Sequence, residues 1–181
     1  MKALQQQGRV GTGRGDRRIH CVIDSPLGLL TLVATGGALS SVYMHDHVRM
    51  PDLATFGPRV KHGFEHVTEQ LADYFTGSRR TFDLTTHVVG SDFQRTVWRA
   101  LTQIPYGQTW SYAALADAVG RPDRVRAVAA ANGRNPLSIV IPCHRVVGSD
   151  GSLIGHAGGL ARKRMLLDLE ARRAVQEPLF P

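Results

Sequence analysis

The sequence predicts an α+β fold, with a small N-terminal antiparallel sheet carrying one helix and a mostly helical C-terminal part containing a helix-turn-helix. Three observations predict it. β-rich runs punctuated by Pro and Gly fill residues 19–44, amphipathic helical spacing starts at Ser91, and two short helical stretches flank Gly120. With 181 residues and 43% apolar content, the chain can bury one substantial core, or two small ones packed together, without disulfides.

Residues 1–18, rich in Gly, Gln and Arg, read as a flexible basic arm with no apolar stretch of the signal-peptide kind. Ile19–Asp24, Leu29–Ala34 and Leu39–Met44 are strand-like runs, separated by Ser25-Pro26-Leu27-Gly28 and Thr35-Gly36-Gly37. Phe64, Val67, Leu71 and Phe75 share one face, which predicts a helix over 64–75 packed on the sheet. Residues 77–89 read as a connector, so the N-terminal domain is drawn as 19–90.

At Ser91 the pattern changes and a domain spanning 91–181 begins. Ser91-Asp92-Phe93-Gln94 has capping-box form, and Phe93, Val97, Trp98, Leu101 and Ile104 recur at helical spacing until Pro105-Tyr106-Gly107. Ser111 suits the N-cap of a helix whose inner face carries Tyr112, Leu115 and Val119, and Gly120 stops it. Pro122 fits a first helical turn, and Val125–Ala131 supplies a short helix ending near Gly133. The pair has helix-turn-helix geometry. Its second helix carries Arg124 and Arg126 with the small Ala127, Ala130 and Ala131, which would allow close approach to a nucleic acid. Short helix pairs mostly just pack, so this pattern by itself leaves both readings open.

The net charge of +7 and pI near 10.1 favour an anionic partner. From Ser91 onward there are twelve basic and seven acidic residues, against ten and eight before it, so the basic surface is expected in the C-terminal part. Nowhere does an apolar run approach the roughly 20 residues needed to cross a bilayer, and no membrane association is expected. The two cysteines, Cys21 and Cys143, match neither a disulfide framework nor a metal knuckle, which fits a reducing cytoplasm.

Ile139-Val140-Ile141 reads as a short buried strand, broken by Pro142 just before Cys143-His144-Arg145. A thiol of pKa near ~8.5 is mostly protonated at neutral pH, so nucleophilicity requires a base or a positive neighbour. His144 and Arg145 are adjacent candidates. Neighbours on an extended chain point to opposite sides, so Cys143 and His144 communicate only if the chain turns or a water bridges them. An inert buried cysteine remains the alternative. The acidic residues available to orient His144 are Asp150, Asp168, Glu170 and Glu177. Glu170 closes the amphipathic segment Leu160–Glu170, where a carboxylate would oppose the helix macrodipole and hint at another purpose; a solvated helix end is the other reading.

Ile141-Pro142-Cys143-His144-Arg145-Val146, with Asn135-Pro136 before it and Gly158-Gly159-Leu160 after it, closely resembles the active-site signature of the O6-alkylguanine-DNA alkyltransferases. These are also called methylated-DNA-protein-cysteine methyltransferases. The likeness covers Ser91–Glu170 and extends more loosely over the N-terminal sheet. It implies a ribonuclease H-like N-terminal domain and a winged-helix-like C-terminal domain with an active-site strand and loop. By position, Cys143 resembles the alkyl acceptor, His144 the water-mediated base and Glu170 the carboxylate that orients it. Asn135 resembles the hinge that joins the helix-turn-helix to the active-site strand. Tyr112 resembles the residue that contacts the extruded nucleotide, and Arg126 the arginine that fills its place in the stack. Backbone groups at Cys143, Val146 and Ala157 would line the guanine site.

The resemblance further implies irreversible, stoichiometric repair of O6-alkylguanine, and of O4-alkylthymine, in double-stranded DNA entered from the minor groove. It implies a monomer, cytoplasmic and nucleoid-associated, without a cofactor; cooperativity on DNA is left open. The zinc ligands of some relatives are not recognisable, so no metal is expected. His156 stands where many members have tyrosine, leaving the tolerated alkyl groups open. Two other readings are a helix-turn-helix binding protein without chemistry, which the presence of Cys143 opposes, and a cysteine hydrolase using Cys143, His144 and Glu170. Such hydrolases usually draw their histidine from a distant part of the chain.

Overall fold

The computed structural model describes residues 16–175. β1 (Arg18–Ile23), β2 (Leu30–Thr35) and β3 (Ala38–Met44) form an antiparallel sheet in that order, with Cys21 opposite Leu32 and Leu32 opposite Val42. Each strand begins or ends within one residue of the expected run. Residues 1–15 of the expected basic arm lie outside the described residues. The first turn is closed by Ser25, whose hydroxyl donates to the Gly28 carbonyl at 2.6 Å and accepts from the Leu27 amide. α1 (Glu65–Thr76) buries Leu71 and Tyr74 in the core it shares with the sheet.

The outer edge of β3 is covered by two segments. The Leu39 amide donates to the Thr85 carbonyl at 2.9 Å, and the Val42 amide to the Pro136 carbonyl at 2.8 Å. The second bond pins the chain a few residues ahead of the Cys143 region onto the N-terminal sheet.

α2 (Asp92–Leu101) starts with a full capping box: the Ser91 hydroxyl accepts from the Gln94 amide, and the Gln94 side chain accepts from the Ser91 amide. It stops three residues short of Ile104, which is still buried. α3 (Tyr112–Ala118) is capped by Ser111, whose hydroxyl accepts from the Ala114 amide at 3.0 Å. Pro122–Arg124 forms a 3-10 turn leading into α4 (Val125–Asn132), and the Trp98 indole donates to the Ala131 carbonyl at 2.9 Å, joining α2 to α4. A two-residue parallel ladder of β4 (Trp110–Ser111) and β5 (Val146–Val147), too short to show a period in sequence, ties the start of α3 to the stretch after Cys143.

Two expectations are corrected. In Ile139-Val140-Ile141 the two isoleucines are buried and Val140 is half-buried, but the segment is not a strand: it is a turn, with Ile139 at φ +73°. Asn135 builds that turn. Its side-chain carbonyl accepts from the Leu137 amide at 3.1 Å and its amide donates to the Ile141 carbonyl at 2.8 Å, while the Ile141 amide donates to the Leu137 carbonyl. These bonds hold a β-branched residue in the left-handed region it otherwise avoids. The second correction concerns α5 (Leu160–Val175), which runs on past Glu170. Glu170 is therefore a buried mid-helix residue, and the argument from the macrodipole at a helix end does not apply to it.

One continuous apolar cluster joins Leu32 and Val42 of the sheet, Tyr74 of α1, Trp98 of α2, Leu115 of α3, Val128 of α4 and Leu166 of α5. Among the described residues, no helix is long and apolar enough to cross a membrane.

Candidate active site

Cys143, His144 and Arg145 form a single 3-10 turn closed by the Val146 amide donating to the Cys143 carbonyl. The turn replaces the extended geometry that would have sent neighbouring side chains to opposite faces. All three residues are buried. His144 and Glu170, both 0% exposed, meet at 2.9 Å between Nε2 and Oε1. Burial alone would push the Glu170 carboxyl up, but the hydrogen bonds and charges of His144 and Arg145 outweigh it and hold the group far below the usual carboxylate range. An ionised carboxylate only accepts, so Nε2 carries the imidazole proton and donates it. Nδ1 is then the basic nitrogen, and it has no hydrogen-bond partner among the described residues.

Arg145 is committed elsewhere than the thiol. Its Nε and Nη2 donate to Glu170 Oε2 and Oε1 at 2.8 and 2.9 Å, and Nη1 donates to the Ile104 carbonyl at 2.6 Å. The expectation that Arg145 supplies positive charge beside the sulfur is therefore replaced by a bidentate lock on the carboxylate. Two further donors complete the shell of Glu170: Tyr74 Oη to Oε1 at 2.7 Å and the Gly107 amide to Oε2 at 3.1 Å. Gly107 sits at φ +75°, and a Cβ there would lie 2.8 Å from that of Ala174, so this approach admits only glycine.

The positive group near the sulfur is Lys163. It is 0% exposed, its Nζ donates to the carbonyls of Val146 at 2.5 Å and Ile154 at 2.6 Å, and it lies 5.9 Å from the centre of the Tyr112 ring. Burial pulls its ammonium down to about 8, opposed by the charge of Cys143. Burial also pushes the Cys143 thiol up, against the Asn135 side chain, Lys163 and backbone amides, which favour the thiolate. Burial lowers His144, with Glu170 working the other way. The imidazole is thus neutral at neutral pH and able to accept a proton.

Above this buried layer lies a cleft of about 650 Å³ between the helix pair and the loop after β5, walled by Tyr112, Ala129, Ala130, Ile154, His156 and Ala157 among others. Cys143 and Val146 lie outside its wall. Tyr112 belongs to both layers: it lines the cleft, and it is close enough to Cys143 for the thiolate charge to raise its phenol, though burial does so more. Its hydroxyl donates to the carbonyls of Ile154 and Gly155 at 3.2 and 3.1 Å. His156 is lowered to about 3, by burial first and then by the charges of His144, Lys163, His47 and Arg162, so it contributes a neutral ring to the wall.

Arg126 and Ala127 are exposed on the first turn of α4, and Ala130 is exposed one turn later. Arg126 forms no ion pair with a described residue, whereas Arg124 pairs with Asp123 at 3.8 Å, both exposed. The sequence residues thus fall into three layers. Cys143, His144, Glu170, Asn135 and Val146 are buried together, Tyr112, Ala130 and Ala157 line the cleft, and Arg124, Arg126 and Ala127 face outward.

Tyr74, Lys163 and the Gly107 amide escaped the sequence reading. A signal existed for Lys163, which shares the i, i+3, i+7 inner stripe of α5 with Leu166 and Glu170, so two charges sit in register with a core leucine. No comparable signal marked Tyr74, which is 96 residues from its partner.

Residues 92–172 match the family model described as 6-O-methylguanine DNA methyltransferase, DNA binding domain. The chain is 47% identical over 154 residues to a methylated-DNA–protein-cysteine methyltransferase of Mycolicibacterium paratuberculosis, covering 84% of this chain and 92% of the relative. It is 42% identical to the protein of that name from Methanosarcina barkeri, covering 82% and 94%. Among solved structures it resembles the Mycobacterium tuberculosis O6-methylguanine methyltransferase, with TM-score 0.81, 41% identity and coverage of 91% and 97%. It also resembles the Mycobacterium tuberculosis OGT crystallised in complex with DNA, with TM-score 0.80, 43% identity and coverage of 86% and 94%.

Proposed function

The chain belongs to the methylated-DNA–protein-cysteine methyltransferase family, and on that premise we propose that it repairs O6-alkylguanine in duplex DNA by taking the alkyl group irreversibly onto Cys143. The observation that carries this reading is the buried His144–Glu170 pair on the turn that bears Cys143, with the basic Nδ1 left for proton transfer. Cys143 loses its thiol proton to Nδ1 of His144 through a bridging water. The thiolate then attacks the alkyl carbon, a C–S bond forms, and the C–O6 bond breaks with its electron pair staying on guanine. The thiol's proton ends on guanine, so atoms and charge balance without a co-reactant. The thioether has no leaving path at neutral pH, and each molecule acts once.

O6 is paired and stacked inside a duplex, so the nucleotide must be flipped out at a cost of a few kcal/mol. Arg126, exposed and without an ion pair among the described residues, supports a role in filling the vacated place, with Ala127 and Ala130 allowing α4 to approach the minor groove and Arg124 contacting phosphate. The flipped base enters the cleft, where Tyr112 exchanges its bonds to Ile154 and Gly155 for one to the nucleotide. The backbone at Ala157 contacts the base from the loop, and groups at Cys143 and Val146 contact it from below. Asn135 fixes the turn that presents Cys143 and favours its thiolate. The same pocket takes O4-alkylthymine. In this reading residues 91–181 bind DNA and carry the transfer, while 19–90 form the supporting domain of a monomer acting at the nucleoid.

Intact-mass measurement after incubation with a duplex containing O6-methylguanine should show one methyl gained per molecule, located on the Cys143 peptide. Cys143→Ala should bind the duplex and gain nothing. Multiple turnovers, or a methyl on another peptide, would overturn the suicide mechanism and favour a hydrolase or a second nucleophile.

A further inference from the structure

The carboxylate of Glu170 accepts from five donors, although such a group offers about four lone-pair sites. Three of them crowd Oε1: Tyr74 Oη at 2.7 Å, His144 Nε2 at 2.9 Å and Arg145 Nη2 at 2.9 Å. Tyr74 comes from α1, in the N-terminal half, and is 0% exposed. Its ring is held by Phe75, Phe82 and Tyr106, with centroids 5.5, 5.4 and 6.1 Å away. We propose that Tyr74 is a positioning residue that sets the lower pH limit of alkyl transfer, by sharing Glu170 Oε1 with His144 and so keeping the imidazole a weak enough base to stay neutral.

This rests on the function proposed above. A stabilised carboxylate holds an imidazolium less strongly, because each donor it accepts withdraws charge that would otherwise favour protonated His144. Burial, with the Glu170 charge next, keeps the Tyr74 phenol far above its ordinary range, so its proton is always available to donate. The other groups facing the pair are Arg145 on the turn, Lys163 and Arg173 on α5, Tyr106 and Arg80 beside Tyr74, and Cys143 and His156 on the cleft side. Of these, Arg145 also hydrogen-bonds the carboxylate, through both Nε and Nη2. Tyr74 is thus the neutral hydroxyl by which the N-terminal half reaches the catalytic pair.

The test compares wild type with Tyr74→Phe, which removes the hydroxyl and keeps the ring. Two readouts are taken: the pH dependence of single-turnover methyl transfer from duplex O6-methylguanine at saturating protein, and the titration of the His144 imidazole by nitrogen NMR, assigned with His144→Gln. In Tyr74→Phe the acid limb and the His144 titration should both move to higher pH. Relative to its own plateau, the rate at a fixed pH on the limb should fall about threefold. 3,5-Difluorotyrosine at position 74 is a stronger donor and should move both the other way; it carries the test if Tyr74→Phe does not fold. Phe82→Leu, which loosens the same ring cluster without touching the carboxylate, should lower the melting temperature and move neither. A His144 titration unchanged in both Tyr74 variants, or shifted equally by Phe82→Leu, would reduce Tyr74 to packing. Absence of methyl on wild-type Cys143 would instead sink the proposed function, and the NMR titration would still decide the role of Tyr74.

Discussion

Glu170→Ala is expected to cost about 3–5 kcal/mol of folding stability, because it strips the counter-charge from a buried arginine and leaves other buried donors without an acceptor. For a chain of this size that corresponds to a fall in melting temperature of roughly 6–20 °C. Methyl transfer to Cys143 should also slow about 10²- to 10⁴-fold, the usual contribution of a positioned general base. The two losses are separable. Replacing both charges in Arg145→Leu/Glu170→Leu removes the unpaired guanidinium and should recover part of the stability while transfer stays slow, a non-additivity that a double-mutant cycle reads directly. The pH dependence follows from the signs. The folded Glu170 carboxyl titrates below its unfolded value, so its stabilisation is complete above about pH 5 and is lost as the pH falls below that. His144 is also lowered, so the unfolded state binds its proton first and stability begins to fall as the pH drops through the ordinary histidine range. In a His144→Gln background, where no imidazole titrates at this site, acid below about pH 5 should therefore destabilise the protein that keeps Glu170 more steeply than its Glu170→Ala counterpart. Equal slopes in denaturant melts from pH 5 to pH 3 in that background would mean that Glu170 is not charged in the fold.

What was legible in the sequence was local. The capping box at Ser91, the Ser111 cap and the strand runs around the Gly turns each state their geometry within four or five residues, and the fold carries them nearly where expected. Ile139-Val140-Ile141 misled because an apolar triplet looks the same in a buried turn as in a buried strand. The deciding bonds come from Asn135, whose side chain competes with ladder pairing. Glu170 could be picked out, but the helix-end argument does not apply to it: it stands inside α5, held by Arg145 and by Tyr74 from the other half of the chain. Partners so far apart leave no mark on periodicity. Lys163 lay within reach, as a charge on the buried stripe of an amphipathic helix.

Arg126→Ala is expected to slow repair of duplex DNA by about 10- to 100-fold while leaving reaction with free O6-benzylguanine nearly unchanged. Opening a duplex costs a few kcal/mol in lost pairing and stacking, and each 1.4 kcal/mol withheld from the opened state is a factor of ten in rate. The free base presents its alkyl group already unstacked and incurs no such cost. Arg126 is exposed on the first turn of α4, on the rim of the helix pair that walls the cleft, and no ion pair with a described residue holds it back. A guanidinium is planar and stacks on bases, which an ammonium does not, so Arg126→Lys should repair duplex almost as slowly as the alanine variant although the charge is kept. The competing role is a phosphate contact, as for Arg124. That role predicts weaker binding to all DNA, a salt dependence shallower by about one counterion, and substantial rescue by lysine. Single-turnover rates at saturating protein remove the binding contribution from the comparison. If wild type and Arg126→Ala then repair duplex equally fast, Arg126 is an electrostatic contact and another group must hold the stack open.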